Sequence, residues 1–361
     1  MPGTKVESRL QLHRAAGAFT ELERWLREQG FFAPGGDELV ADLFLGYGLS
    51  EPLRRSGAPP PQEPCSDLPL LACAVRDRGE SRAHLVTQCH EAPRVGTWER
   101  SWDEQGYKTA IEAVRSAIAR GDVYQVNLVQ HLSAPFAGDP LAIASVLHAL
   151  EPLAPAPFLG EGWAVVSASP ELFLAKRGRR VRTMPIKGTR PAGAARELEL
   201  SHKDAAEHVM IVDLERNDLA RVCEPGSIRW PEFMSTRRLA GVEHMVSTVG
   251  GVLREGVGLG DLLEATFPGG SVTGAPKIAA LDLIAELEPV GRGASMGALG
   301  RVHGNGDLEL ALTIRTFAIA DERIHFWVGG GIVWDSVAAD EVAESWTKAR
   351  PVLAALDRLG E

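Results

Sequence analysis

Two series of apolar residues recur at helical spacing in the first 121 residues and predict one helix each. The first series consists of Phe19, Leu22, Trp25 and Leu26. The second follows Asp103, a residue suited to cap a helix, and the pattern ends at Gly121. Its apolar face consists of Tyr107, Ile111, Val114 and Ile118. Between the two series, the proline-rich segment 58–64 cannot lie inside a helix and predicts a loop or a subdomain boundary.

Strand patterns dominate from residue 123 onwards. In segment 123–132, the polar residues Gln125, Asn127 and His131 alternate with apolar ones, which predicts a strand whose polar face is either solvated or lines a cavity. Further apolar runs predict strands at 164–169, 228–231, 248–253, 308–319 and 323–333. Helical stretches separate these clusters, which favours an α+β or layered sheet architecture over an alternating α/β series.

The composition and net charge of the chain indicate a globular protein and disfavour several kinds of partner. The chain has 361 residues, of which 45% are hydrophobic, so it can bury a sizeable core. Its formal net charge of -10 disfavours nucleic acid and anionic membranes as partners, because both attract basic surfaces. The four cysteines form no metal-binding or disulfide pattern, and no apolar run reaches membrane-spanning length. We therefore expect a cytoplasmic protein.

The segment 184–191, MPIKGTRP, contains the first candidate nucleophile, Lys187. Pro185 and Gly188 predict a turn that would hold the lysine side chain in place. Burial among apolar neighbours would penalise the ammonium form and make a neutral amine available for covalent chemistry. The alternative is a solvated turn lysine, which is the commoner situation for this residue type.

Two helical segments carry carboxylates that share a face. Asp204 and Glu207 lie three residues apart, and Glu341, Glu344 and Lys348 recur at helical spacing. Magnesium prefers oxygen ligands, so two such faces meeting across a cleft would suit a Mg²⁺ ion. Ordinary solvated helix charge is the alternative that spacing alone favours.

Glycine is concentrated in two later segments. Segment 267–277 spaces Gly269 and Gly274 as a phosphate-binding loop does, but Ala275 stands where that loop requires lysine, so this function is excluded. Three consecutive glycines, Gly329, Gly330 and Gly331, close an apolar strand and predict backbone amides that approach an anionic ligand. A β-bulge is the alternative at this position.

Three single residues complete the candidates. Glu171 follows an apolar strand and would serve as a general acid if its surroundings raise its pKa. Arg315 lies in an apolar run, and an arginine on an inward strand face commonly binds a carboxylate through two hydrogen bonds. His244 also lies among apolar residues, where a structural histidine is more common than a catalytic one.

Seven motifs occur in the order and spacing found in chorismate-utilising enzymes, and the resemblance covers about residues 103–355. The motifs are SASPELF (167–173), PIKGTRP (185–191), AEHVMIVDLERNDLARVCEPGSI (206–228), HMVSTV (244–249), FPGGSVTGAPK (267–277), LTIRT (312–316) and GGGIVWDS (329–336). The resemblance implies an α+β, anthranilate synthase component I-like two-sheet sandwich with helices outside and a central cleft. Residues 1–100 would form a short N-terminal region integrated into this fold, and residues 101–358 the chorismate-binding core.

The lysine of PIKGT stands where anthranilate synthases usually have alanine, so the chain resembles the aminodeoxychorismate synthase branch of the family. This resemblance implies that Lys187 attacks C2 of chorismate, Glu171 donates a proton to the departing C4 hydroxyl, and ammonia then adds at C4. Ammonia would come from a glutamine amidotransferase subunit on a separate chain, in the pathway to 4-aminobenzoate and folate.

The same resemblance assigns the remaining site residues. His244 would lie near the C4 oxygen, and Mg²⁺ would be bound by Glu207, Glu341 and Glu344, with Asp204 as a ligand or a neighbour of the ligands. The substrate contacts would be Gly188, Thr189, Thr248, Arg315, Gly329, Gly330, Gly331 and Lys348.

Two positions depart from the family pattern, and three further functions stay open. Ser295 replaces the usual aromatic residue and Arg301 the usual tyrosine, which leaves open which residue assists Arg315. Isochorismate and salicylate synthases place a water-activating lysine at the position of Gln125, and this difference favours ammonia as the nucleophile. Anthranilate synthase component I is the nearest alternative, and a non-catalytic scaffold for an amidotransferase is a third.

Overall fold

The computed structural model of the chain describes residues 8–79, 93–154, 156–191, 193–239 and 242–357, and the strands in these ranges form two large sheets. The first sheet contains β1 (Ser8–Leu12), β2 (Leu39–Leu45), β3 (Leu71–Asp77), β9 (Leu172–Arg177), β10 (Arg180–Met184), β11 (Ile186–Pro191), β12 (Arg229–Leu239), β13 (Val242–Val252), β15 (Ala298–His303) and β16 (Leu308–Leu312). Its strand order is β1-β3-β2-β15-β16-β9-β10-β13-β11, with β12 paired to β13. All of these pairings are antiparallel.

The second sheet contains β4 (Arg94–Val95), β5 (Glu99–Arg100), β6 (Gln125–Ala137), β7 (Phe158–Leu159), β8 (Trp163–Ser167), β14 (Gly274–Ala275), β17 (Thr316–Ala320) and β18 (Arg323–Ile332). Its order is β14-β6-β18-β17-β8-β7, and β4 and β5 pair with β6. The longest pairing joins β18 to β6 from Arg323 to Ile332 without a shift in register.

Apolar residues of both sheets pack together in one core. Phe44 and Leu174 of the first sheet belong to the same buried cluster as Val165 and Trp327 of the second. The helices lie on the outside. They are α1 (Ala18–Glu28), α2 (Glu104–Arg120), α3 (Pro140–Leu147), α4 (Ala195–Glu199), α5 (His202–Ala220), α6 (Leu259–Thr266), α7 (Lys277–Leu287) and α8 (Ala338–Asp357). Helix α8 packs on β18 and α5 on β13, so the predicted two-sheet sandwich with helices outside is confirmed.

The predictions for the two early helices are confirmed. Asp103 caps α2 by accepting a 2.6 Å hydrogen bond from the Gly106 amide, and Gly121 ends the helix with φ of 80°. Segment 58–64 contains neither helix nor strand. In the part of the chain that the structure describes, no helix is both long and apolar enough to cross a membrane. Cys89 lies outside the described residues.

The predicted strand at 308–319 is wrong in one respect, because it is two strands that belong to different sheets. The chain leaves β16 of the first sheet at residue 312 and enters β17 of the second at residue 316. Arg315 lies in this break with φ of 50°, so it is not on an inward strand face as we expected. Periodicity did not reveal the break because both strands are apolar.

A second crossing runs beside the first, between β8 of the second sheet and β9 of the first, and it contains Glu171. The hydroxyls of Ser167 and Thr316 lie 2.8 Å apart, and the Leu312 amide donates a 2.9 Å hydrogen bond to the Glu171 carbonyl. The paired crossings therefore bring Glu171 and Arg315 to the place where the two sheets meet.

Candidate active site

One cavity between the sheets gathers most of the predicted site residues and encloses about 140 Å³. The predicted residues that line it are Glu171, Lys187, Gly188, Asp204, Glu207, His244, Arg315, Gly329, Gly330, Gly331, Glu341, Glu344 and Lys348. They come from both sheets, from the two crossings, and from helices α5 and α8. The sequence therefore predicted a set of residues that the fold brings together.

Lys187 lies in strand β11 rather than in a turn, which corrects the expectation from its proline and glycine neighbours. It pairs with Met245 of β13, and the register shifts between Lys187 and Thr189, where Gly188 has φ of 61°. The strand therefore bulges at Gly188. The lysine side chain is only 10% exposed, and Nζ donates hydrogen bonds to Glu207 Oε1 at 2.8 Å and to the Ser271 carbonyl at 3.3 Å.

The surroundings of Lys187 also correct the expectation of a neutral amine. Burial by itself lowers the pKa of Lys187, but the charge and hydrogen bond of Glu207, with the charge of Glu171, outweigh it and raise the pKa above its ordinary value. The amine is therefore held as an ammonium ion paired to a carboxylate. Apolar burial was expected from the sequence, whereas the fold places acidic groups around the nitrogen.

Glu171 has the environment expected of a general acid. It is 5% exposed, and burial raises its pKa above the ordinary value, against the opposing effects of Ser271 and Lys187. Oε1 accepts a 2.7 Å hydrogen bond from the Ser271 hydroxyl and a longer one, at 3.4 Å, from the Ile186 amide. A buried carboxyl of this kind keeps its proton at higher pH than a solvated one.

His244 lies on β13 and is neutral in this site, because burial lowers its pKa to about 4. Its Nδ1 lies 3.2 Å from the Gly188 carbonyl oxygen. A carbonyl only accepts hydrogen bonds, so Nδ1 carries the proton and Nε2 carries the lone pair. The histidine therefore offers a hydrogen-bond acceptor.

Arg315 and the three glycines suit a small anionic ligand. Among the described residues, the Arg315 guanidinium forms no ion pair, and burial lowers its pKa. The glycines pair with β6 in continuous register, so the alternative of a bulge is wrong. A Cβ atom on Gly330 would lie 3.1 Å from Lys348 Nζ and 3.7 Å from Glu341 Oε2, so the absence of a side chain there keeps the cavity open.

The four candidate metal ligands each contact a basic side chain. Glu341 Oε1 lies 3.2 Å from Lys203 Nζ, Glu344 Oε1 lies 2.8 Å from Lys348 Nζ, and Asp204 Oδ2 lies 2.7 Å from Arg190 Nη2. The charge of Lys348 lowers the pKa of Glu344, which favours its carboxylate form. Glu207 contacts Lys187 as described above.

Carboxylate oxygens nevertheless gather on one wall of the cavity. Cβ positions built on Gly330 and Gly331 lie within 4 Å of oxygen atoms of Glu341, Glu344 and Glu207, so three carboxylates converge on these two glycines. Within the described ranges, no three acidic, histidine or cysteine side chains are arranged so that they could hold a metal ion. Magnesium binding therefore stays a prediction.

Four residues singled out from the sequence are not placed by the structure in the cavity lining. Thr248 is buried on β13 and donates a 3.2 Å hydrogen bond to Glu232. Thr189 lies in β11, and its side chain is outside the described part of the structure. Arg301 pairs with Asp42 at 3.4 Å, and the Ser295 hydroxyl donates a 3.4 Å hydrogen bond to the Thr313 carbonyl.

Two polar residues of the cavity, Lys203 and Ser271, were missed by the sequence analysis, and a third, Asn127, was predicted only as one of two alternatives. The polar face of the strand that carries Asn127 was expected to be solvated or to line a cavity, and the second alternative is correct for Asn127, which is buried in the cavity lining. Ser271 belongs to the glycine-rich segment 267–277, which was compared with a phosphate-binding loop and matched as a family motif without a role for the serine. Lys203 stands beside Asp204 at the start of α5. Its place on a helix face that carries two candidate metal ligands could have indicated that it lies in the cavity.

A cleft that combines a buried acid, an amine, a buried guanidinium and several carboxylates is typical of an enzyme that acts on a small carboxylate-bearing molecule. Residues 66–354 match the family of chorismate binding enzymes, and the chain belongs to this family.

Individual relatives carry two different names. The chain is 39% identical over 335 residues to anthranilate synthase component 1 of Streptomyces coelicolor, which covers 89% of this chain and 61% of that protein. It is also 39% identical over 275 residues to aminodeoxychorismate synthase component 1 of Bacillus subtilis, covering 73% of this chain and 58% of that protein. The chain thus spans less than two thirds of the length of these curated relatives.

A solved structure has the same fold. Anthranilate synthase component I from Streptococcus pneumoniae superimposes with a TM-score of 0.75 and 28% identity, covering 86% of this chain and 80% of that one. The expected anthranilate synthase component I-like fold is thereby confirmed.

Proposed function

We propose that the chain is an aminodeoxychorismate synthase component I, which converts chorismate and ammonia to 4-amino-4-deoxychorismate and water. The observation that carries this proposal is the position of Lys187 inside the cavity, where Ser271 connects it to the buried acid Glu171. A relative with this name matches 73% of the chain. Ammonia would come from a separate glutamine amidotransferase chain, in the cytoplasmic pathway to 4-aminobenzoate and folate.

The first half of the reaction forms a bond between Lys187 Nζ and C2 of chorismate. As this bond forms, the ring double bonds shift and the C4–O bond breaks, so that the hydroxyl leaves as water with the proton of Glu171. Lys187 must first lose a proton to solvent, because Glu207, 2.8 Å away, favours the ammonium form and is also a proposed metal ligand. Neutral His244 would accept a hydrogen bond near the C4 oxygen.

In the second half, ammonia bonds to C4, the C2–N bond breaks, and Lys187 leaves as an amine. The proton lost by the new ammonium group returns Glu171 to its acid form, so the cycle consumes chorismate and ammonia and releases one water. Arg315, Gly188, Thr189, Thr248, Lys348 and the amides of Gly329–Gly331 are the proposed substrate contacts.

We also propose that Glu207, Glu341 and Glu344 hold a Mg²⁺ ion, with Asp204 beside them. When bound, this ion would neutralise and orient a carboxylate of the substrate. The protein would supply the oxygen ligands, and the glycine-lined wall beside them would leave room for the ring.

The product formed from chorismate, Mg²⁺ and ammonium tests the proposal. We expect a product in which an amino group replaces the C4 hydroxyl, identified by mass, without release of pyruvate. Fluorescent anthranilate together with pyruvate would reject the proposal in favour of anthranilate synthase component I. That alternative is favoured by one observation, since the relative that covers 89% of the chain bears this name.

Water-using activities and a scaffold role would each give a different result in the same assay. Isochorismate or salicylate would indicate that water is the nucleophile, although Gln125 here donates a 2.7 Å hydrogen bond to Glu207 Oε1 instead of presenting a lysine. Unchanged chorismate at high ammonium concentration would indicate a non-catalytic scaffold.

A further inference from the structure

Helix α5 makes two consecutive contacts with the strands that carry the proposed nucleophile. Glu207 binds Lys187 of β11. The next residue, His208, is fully buried, and its Nε2 lies 2.6 Å from the hydroxyl of Ser247 on β13. The Ser247 amide in turn donates a 3.3 Å hydrogen bond to the Pro185 carbonyl, two residues before Lys187.

The Ser247 hydroxyl joins the buried histidine to a third strand. The Ser247 hydroxyl accepts a 2.9 Å hydrogen bond from the Met234 amide of β12, where the strand bulges and Met234 has φ of 53°. The same hydroxyl contacts His208 Nε2, and a serine hydroxyl can complete this pair with either tautomer of the imidazole. Among the described residues, Nδ1 of this buried ring has no hydrogen-bond partner, so Ser247 is the polar contact that fixes the ring.

We propose that His208 is a positioning residue that holds α5 at the distance from β11 and β13 at which the Glu207 carboxylate contacts Lys187. It would act through Ser247 and would not touch the substrate. Because Glu207 and His208 are neighbours on one helix turn, a change in the His208–Ser247 contact shifts the Glu207 carboxylate as well. The inference rests on the proposed function in so far as Lys187 is the nucleophile.

The contact is suited to positioning because it is short and buried. Loss of a buried hydrogen bond leaves its partner unsatisfied, and a displacement of about 1 Å at a reacting group can lower a rate about a hundredfold. Lys187 and Glu207 each have long, flexible side chains, so their mutual distance depends on how the backbones beneath them are held.

Three variants test the proposal at saturating chorismate and Mg²⁺. His208→Leu should lower kcat about a hundredfold and leave KM for chorismate within about threefold, because the substrate contacts lie mostly on other elements. Ser247→Ala should give a loss of the same order. His208→Gln places an amide group, which can accept from or donate to the Ser247 hydroxyl, near the Nε2 position and should recover most of the lost kcat. If His208→Leu does not fold, Ser247→Ala and His208→Gln still provide the comparison.

Asp42→Asn is the matched control, since it disrupts a buried ion pair with Arg76 in β2 and β3, several strands away in the same sheet. Asp42→Asn should lower Tm but leave kcat close to the wild-type value. The proposal is overturned if kcat follows Tm across all variants, if His208→Gln is no better than His208→Leu, or if KM rather than kcat changes.

A second measurement needs no chorismate and therefore separates this inference from the proposed function. The rate at which methyl acetimidate modifies Lys187, followed by peptide mass spectrometry, should rise severalfold in His208→Leu and Ser247→Ala, because a looser contact with Glu207 frees the amine. His208→Gln should restore the wild-type rate. Lys108 of helix α2, whose side chain is 30% exposed, serves as the internal reference. Unaltered modification of Lys187 in both loss variants would refute the positioning role, whatever product the enzyme makes.

Discussion

The Ser271 hydroxyl donates a 2.7 Å hydrogen bond to Glu171 Oε1, and the carbonyl of the same serine accepts one from Lys187. One residue of the glycine-rich segment 267–277 thus connects the proposed acid to the proposed nucleophile. The acid lies in a crossing between the sheets and the amine in β11, so Ser271, together with the Ile186 amide of β11, links two groups that lie on different elements.

Removing this hydroxyl should change the pH dependence in a defined direction. Burial raises the pKa of Glu171, and the hydrogen bond from Ser271 opposes that rise. Ser271→Ala should therefore raise the pKa further. Because Glu171 donates a proton only while it is protonated, the alkaline limb of the kcat profile should move to higher pH, with a maximal kcat lower by about tenfold.

Ser271→Thr retains a hydroxyl and is the control for this experiment. It should keep the wild-type pH profile. A profile of Ser271→Ala that moves to lower pH would contradict the assignment of Glu171 as the acid.

Lys187 should form a covalent adduct with chorismate when ammonia is absent. Intact mass spectrometry after mixing should show the protein plus the substrate minus water, because the second half of the reaction cannot proceed without ammonia. Lys187→Ala should show none, whereas Lys203→Ala, which removes a neighbouring amine of the same cavity, should still show it. An equal adduct in Lys187→Ala would remove the nucleophile role.

Magnesium affinity should depend on Glu344. Glu344→Gln removes one negative charge from the proposed ligand set, and the affinity for Mg²⁺ in titration calorimetry should fall about ten- to a hundredfold. High Mg²⁺ concentration should recover turnover in this variant. Asp340→Asn, which changes an exposed residue of the same helix α8, is the control, and its affinity for Mg²⁺ should equal that of the wild type. Equal losses of Mg²⁺ affinity in both variants would indicate an effect of the charge of the helix rather than direct binding by Glu344.

The affinity for the substrate should depend on the space left by the missing side chain at Gly330. In Gly330→Ala the added methyl group would lie 3.1 Å from Lys348 Nζ, tighter than ordinary contact, and near the carboxylates of Glu341 and Glu344. KM for chorismate should rise about tenfold, as expected when a pocket loses space for one methyl group. Gly57→Ala adds a methyl group in open space and should leave KM unaltered. A normal KM in Gly330→Ala would place the ring elsewhere.

The sequence predicted the bounds of a helix correctly where residues with distinctive capping or backbone properties stand at its ends. Asp103 and Gly121 define α2 because capping and a positive φ are properties of those residues themselves. The motif order likewise pointed to one cavity, since each of the seven motifs supplies at least one residue to its lining. These predictions did not need knowledge of which elements are neighbours.

The predictions that failed depended on long-range neighbours. Lys187 was expected among apolar groups, but its charge state follows from Glu207, which reaches it from a helix twenty residues later in the chain. Arg315 was assigned to a strand because apolar alternation does not record a change of sheet. Ser271 was overlooked because its importance depends on Glu171, one hundred residues away in sequence.

The paired crossings at residues 168–171 and 313–315 join the two sheets side by side at one place, next to the cavity. A molecule held by Lys187 and His244 on one side and by Gly329–Gly331 on the other touches both layers at once. Its binding free energy therefore adds to the free energy of unfolding. Separation of the two sheets would destroy the cavity. Ligand occupancy and global unfolding should consequently be a single coupled equilibrium in this protein.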